Sequence, residues 1–216
     1  MFHYLDLLGV IVFAVSGALE ARERGMDVFG ACAIGFVTAL GGGTLRDMVL
    51  QHGPVFWVRD STYIVLVTLA SVATFLTAQR HTVPRRILLI ADAGGLAVAT
   101  TIGVQKALAA SVSPVIALLM GVVTGVVGGI GRDVLCNEVP LVLCEDIYAT
   151  VCLVGAILFL ALRATHVPTD LASPIAVAFM FALRVAAIAL NLRLPAVLRG
   201  PWRRQEWPDH GSNETP

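Results

Sequence analysis

Two Arg-Asp dipeptides stand inside long apolar stretches, each following a glycine run: GGGTLRD over Gly41 to Asp47, and GGIGRD over Gly128 to Asp133. Charges at membrane depth are costly, and where they persist they mark ion pathways, gates or neutralised pairs. Contiguous glycines lower the cost of bending or unwinding a helix, and freed backbone groups are tolerated there only beside protein or water. Thr38, Gly42 and Arg46 follow at i, i+4 and i+8, as do Thr124, Gly128 and Arg132, so hydroxyl, glycine and guanidinium share one helix face. The chemistry open to such a face is the passage of small polar species. The run Gly41, Gly42 and Gly43 predicts a kink turned toward that path.

Adjacent helical residues point about 100° apart, so Arg46 is not expected to pair with Asp47, nor Arg132 with Asp133. Asp6 and Asp92 are candidate charge partners of the right sign. Such pairs serve as structural neutralisation, as gates, or as both. Among other polar groups, Glu20 and Lys106 are expected to snorkel at helix ends, and Arg184 to find a buried partner or a protomer contact. Tyr4, Trp57 and Tyr63 suit an aromatic belt.

The elements that position these groups are membrane helices. The chain is 57% apolar and 14% charged, with mean hydropathy +0.82, against about a quarter charged in soluble domains. Apolar stretches recur at Asp6 to Glu20, Val28 to Leu50, Tyr63 to Ala78, Ile87 to Gln105, Val112 to Cys136, Ile147 to Leu162 and Pro174 to Asn191. With about 20 residues needed per crossing, they predict an all-α integral membrane protein of seven spans. The first stretch, with Asp6, Ser16 and Glu20 and no basic leader, is expected to be a retained span.

Loops are short, and only the stretch after Arg193 is hydrophilic, which leaves no room for a soluble catalytic domain. No Walker sequence, no HExxH and no nucleophile elbow occurs, so neither an enzyme nor a nucleic-acid partner is expected. Cys32, Cys136, Cys144 and Cys152 lack CxxC spacing and are expected as buried apolar residues, with no metal site. Seven spans put most arginines on the side of the C-terminus, so the N-terminus is expected outside and the C-terminus in the cytoplasm.

An offset of 86 residues aligns GGTLRD with GGIGRD, and also Asp6 with Asp92, Gly17 with Gly103, Pro54 with Pro140 and Asp60 with Asp146. About 15 of 55 aligned positions are identical without a gap, several times what shared composition would give. Each copy holds three spans, so the second must cross in the opposite sense, an inverted repeat of the kind found in channels and secondary transporters. The expected organisation is a membrane domain over 1–195, with repeats at about 1–80 and 84–165, a seventh helix at about 174–191 and a flexible tail at 196–216.

On these doubled motifs the chain resembles the prokaryotic trimeric intracellular cation (TRIC) channels, a family also described as glycine-transporter-type. The resemblance implies a homotrimer among the lipids of the bacterial inner membrane. It also implies an hourglass pore in each protomer, bounded by kinked second and fifth helices, that conducts monovalent cations, chiefly potassium, without a cofactor. Carried onto this sequence, the kinks map to Gly41, Gly42, Gly43, Gly128 and Gly129, and the pore-facing residues to Thr38, Arg46, Asp47, Thr124, Arg132 and Asp133. Val127 stands where the first copy has Gly41, so the second break is expected to be less complete. A secondary transporter of a small solute such as glycine is the competing expectation.

Overall fold

The computed structural model describes residues 2–51, 53–78, 85–144 and 147–190; the expected tail over 196–216 and the matched Asp146 lie outside the described residues. The described residues form nine helices: α1 (Phe2–Glu23), α2 (Val28–Leu50), α3 (Phe56–Arg59), α4 (Thr62–Thr77), α5 (Arg85–Ala109), α6 (Pro114–Leu135), α7 (Leu141–Cys144), α8 (Ala149–Ala164) and α9 (Thr169–Ala189). Five of them, α1, α2, α5, α6 and α9, are long and apolar enough to cross a membrane. The other two expected spans, α4 and α8, have 16 residues each, about 24 Å at 1.5 Å per residue. Helices α3 and α7 are single turns of four residues, too short to carry any hydrophobic period, and were not expected.

The repeat extends to backbone features that residue identity conceals. Asp27 and Ser113, one offset apart, both N-cap the following helix: Asp27 accepts from the N–H of Gly30 at 2.7 Å, and Ser113 from that of Ile116 at 3.4 Å. Gly25 and Ser111 both have positive φ (70° and 58°), and so do Gln51 and Asn137 just past the ends of α2 and α6 (50° and 56°). Different residues therefore stop and start the chain at equivalent points.

Packing follows the same plan. Helix α1 packs on α2 and α4, and α5 packs on α6 and α8; the halves join along α2–α6 and α1–α5, with α9 laid against α5 and α8. Leu40, Leu96, Val151, Phe159 and Met180 are among the buried residues of the core. Where α2 crosses α6, glycine decides the separation: a Cβ at Gly42 would strike the carbonyl oxygen of Thr124, and one at Gly128 that of Thr38. These contacts exchange under the repeat offset, so the crossing is symmetric about its own centre.

Neither the second nor the fifth span is unwound at its glycines, because α2 remains helical through Gly41, Gly42 and Gly43, and α6 through Gly128 and Gly129. Close approach of two helices, rather than unwinding, accounts for Gly42 and Gly128.

The aromatic belt needs a second correction. Tyr4 is exposed, but Tyr63 is buried, and Trp57 turns inward to donate its indole N–H to Thr44 Oγ1 at 2.9 Å. Lys106 does not snorkel outward either: its Nζ lies 5.0 Å from the centre of the Phe56 ring, while Glu20 pairs with Arg24 at 3.4 Å.

Candidate functional site

The α2–α6 crossing places Arg46 and Arg132 at opposite ends of one seam. Gly42 faces Thr124 and Gly128 faces Thr38, so the chains run antiparallel there and each arginine lies one turn beyond the contact, in opposite directions. Both guanidiniums are almost completely buried, at 2% and 0% exposure, which makes their partners decisive.

Each arginine does pair with the aspartate next to it, contrary to the expectation from side-chain direction. Arg46 Nε donates to Asp47 Oδ1 at 2.8 Å, and Arg132 Nε to Asp133 Oδ1 at 2.8 Å. Three methylenes let the arginine side chain turn back across the angle that separates neighbouring Cβ atoms. The other carboxylate oxygen holds the start of the following single-turn helix: Asp47 Oδ2 accepts from the N–H of Phe56 at 3.0 Å, and Asp133 Oδ2 from that of Leu141 at 2.8 Å. Each aspartate thus ties a buried guanidinium to a turn of backbone.

Beyond this shared unit the two ends differ. At the Arg132 end, Nη1 donates both to Asp92 Oδ1 and to Ser16 Oγ, each at 2.7 Å, and Tyr148 donates its hydroxyl to Asp92 Oδ2 at 2.8 Å. Asp92 is 1% exposed, so this is a closed network in a low-dielectric setting, where charge-assisted bonds are strong. The expected Arg132–Asp92 pair is present.

At the Arg46 end the expected pair is not made. Asp6 is half-buried and accepts instead from the Tyr63 hydroxyl at 2.6 Å, while Arg46 has Asp47 as its ion-pair partner among the described residues. The position equivalent to Ser16 is Ile102, which offers no hydroxyl to draw a guanidinium inward. What separates Asp6 from Arg46 is a cleft that both line, together with Thr38, Gly42, Ile102 and Thr124. The cleft is roomy enough to hold water.

Thr38 and Thr124 both line that cleft. Thr38 donates its hydroxyl proton to the Ile34 carbonyl at 2.7 Å, and Thr124 to that of Met120 at 2.6 Å. With the proton directed back along its own helix, each Oγ1 keeps only lone pairs, and each packs against a glycine of the neighbouring helix, Thr38 against Gly17 of α1 and Thr124 against Gly103 of α5. Neither Arg132 nor Asp92 lines the cleft, which stops at Thr124.

Sequence reasoning found Thr38, Arg46, Asp47, Thr124, Arg132, Asp133, Asp6 and Asp92, and the structure gathers them along this one seam. It missed Ser16, Tyr63 and Tyr148. The two tyrosines are 85 residues apart, one short of the repeat offset, so an ungapped match passes them by. Arg184, buried as expected, donates to the Ile147 carbonyl at 2.7 Å and stands 4.9 Å from the Tyr148 ring centre.

Comparison with known proteins gives this seam a lineage. The family model described as "Glycine transporter" matches twice, over residues 3–79 and 89–164. The chain is 47% identical over 195 residues to the UPF0126 inner membrane protein YadS of Escherichia coli K12, covering 89% of this chain and 94% of that protein. The TRIC trimeric intracellular cation channel orthologue from Rhodobacter sphaeroides has the same fold at TM-score 0.85 and 41% identity, over 88% of this chain and 98% of that one. The chain belongs to the TRIC family. A further prokaryotic TRIC channel, solved in 0.5 M KCl, superposes at TM-score 0.83 with 31% identity, over 89% of this chain and 98% of that one. In this TRIC-family chain the two family matches carry the two sides of the α2–α6 crossing, and α9 falls outside both.

Proposed function

We propose that this protein is a passive channel for monovalent cations, potassium foremost, in a bacterial inner membrane. Each protomer of a homotrimer carries its own path along the α2–α6 seam. Seven helices cross the bilayer, α4 and α8 being the two short ones, as two inverted three-helix repeats with α9 added. The N-terminus is outside and the C-terminus cytoplasmic, as arginine placement favours. The trimer and the potassium preference rest on likeness to the channels named above and on the resemblance carried by the doubled motifs.

The observation that carries the reading is the cleft along the α2–α6 seam, which Asp6, Arg46, Thr38 and Thr124 line together. A cation entering at the Arg46 end meets the Asp6 carboxylate, passes a guanidinium already neutralised by Asp47, and reaches Thr38 and Thr124. Beyond Thr124 the way is held shut by Arg132, fixed by Asp92, Asp133 and Ser16. Conduction requires Arg132 to leave that position, so in this reading the network works as a gate that these bonds hold closed.

A second reading, a secondary transporter of glycine, draws on the family description and on the pattern of one open and one sealed end. Purified protein in planar bilayers under a potassium gradient separates the two. Discrete conductance reversing near the potassium equilibrium potential supports the channel. Saturable, gradient-coupled glycine uptake without such conductance overturns it.

A further inference from the structure

The two halves share sequence, caps and a symmetric crossing, yet one end is open and the other sealed. Some feature that the repeat does not copy must make them differ. Ser16, with Ile102 as its counterpart, supplies one local difference. Helix α9 supplies another, since it has no counterpart at all and packs on α5 and α8, the helices of the sealed network.

From α9, Arg184 reaches that network at two points. Its Nη1 holds the carbonyl of Ile147, the residue before Tyr148, and its guanidinium carbon stands 4.9 Å from the centre of the Tyr148 ring. Tyr148 passes the constraint on, because its hydroxyl is bonded to Asp92 Oδ2 and Asp92 Oδ1 to Arg132. At the other end the Tyr63 ring stands roughly perpendicular to those of Phe56 and His3, at 4.7 and 6.2 Å, and no cation stands over it among the described residues. A guanidinium against an aromatic face is a strong contact when water is excluded, and Arg184 is 2% exposed.

We infer that Arg184 is a positioning residue for the gate: by fixing the backbone and ring of Tyr148 it keeps Asp92 set to hold Arg132, and so biases the Arg132 end toward closure. The unpaired helix thereby makes two equivalent halves functionally unequal. This role rests on the channel reading above, with Arg132 as its gate.

Single-channel recording of Arg184→Gln, Arg184→Lys, Tyr148→Phe and the double variant Arg184→Gln/Tyr148→Phe tests it. Arg184→Gln is expected to raise open probability about tenfold, with unitary conductance and reversal potential unchanged. Arg184→Lys, which restores a cation, should fall between that variant and wild type. If Arg184 acts through Tyr148, adding Arg184→Gln to Tyr148→Phe changes open probability by less than about twofold. A folded Arg184→Gln trimer with wild-type open probability overturns the role and leaves the channel reading standing, as does full additivity in the double variant. Should Arg184→Gln fail to fold, Arg184→Lys with and without Tyr148→Phe makes the same comparison. A silent wild type overturns the channel reading, and this role with it.

Discussion

Arg132 and Asp92 form a 2.7 Å ion pair closed off from solvent, whereas their repeat equivalents, Arg46 and Asp6, face a common cleft without pairing. The same two residue types in the same register thus occur in two arrangements within one chain. The difference lies in what surrounds them, a serine at one end, an isoleucine and a cleft at the other.

Removing the two carboxylates should have unequal effects on stability. Asp92→Ala leaves a fully buried guanidinium short of its counter-charge, a loss of about 3–5 kcal/mol for buried pairs. Asp6→Ala removes one hydrogen bond from a half-buried group, about 1 kcal/mol. Thermal unfolding in detergent should show the larger fall for Asp92→Ala, and equal falls would deny the asymmetry.

The glycine run offers a sharp internal contrast. A Cβ at Gly42 or Gly128 meets a carbonyl oxygen of the facing helix, but one at Gly41 has as its nearest neighbour the Cα of Gly128 at 3.8 Å, ordinary contact. Gly41→Ala should be tolerated or stabilising by up to ~1 kcal/mol through helix propensity. Gly42→Ala and Gly128→Ala should each force the α2–α6 crossing apart, lowering the unfolding temperature and trimer yield. If all three behave alike, the glycines are not spacers at a contact.

Access to the seam should be one-sided. Silver ions are close to potassium in size and bind thiols, so Thr38→Cys and Thr124→Cys in a background without native cysteines report which end admits a cation. The account expects silver added at the Arg46 end to modify both, at least about tenfold faster than silver added at the Arg132 end. Equal rates from both sides would mean that the Arg132 network is no barrier.

The site was legible in the sequence where chemistry is unusual for its setting. Arginine, aspartate and glycine in hydrocarbon have few roles, so GGGTLRD and GGIGRD announced themselves, and the offset between them identified Asp92 as the partner of Arg132. The same symmetry misled at Asp6, because equivalence of register does not guarantee equivalence of state. Ser16 was invisible since a lone serine in an apolar span is common, and Tyr148 because a slip of one residue moved it off the repeat. Adjacent pairing of Arg46 with Asp47 escaped because direction from the helix axis ignores the reach of a long side chain.

Fold class came from hydropathy alone, but helix boundaries did not. The single turns α3 and α7 depend on a carboxylate nine or eight residues upstream accepting a backbone N–H, a contact no local pattern reveals. The continuity of α2 through three glycines is a tertiary outcome as well, since the close contact with α6 compensates for their poor helix propensity.

The central claim is that a cation path along the α2–α6 seam is closed by Arg132 held on Asp92. Planar-bilayer recording of wild type beside Asp92→Asn, under one potassium gradient, tests it most directly. The account predicts channels of the same reversal potential, near that of potassium, with a clearly higher open probability in Asp92→Asn. Identical open probabilities in folded protein, or silence from both, would contradict it.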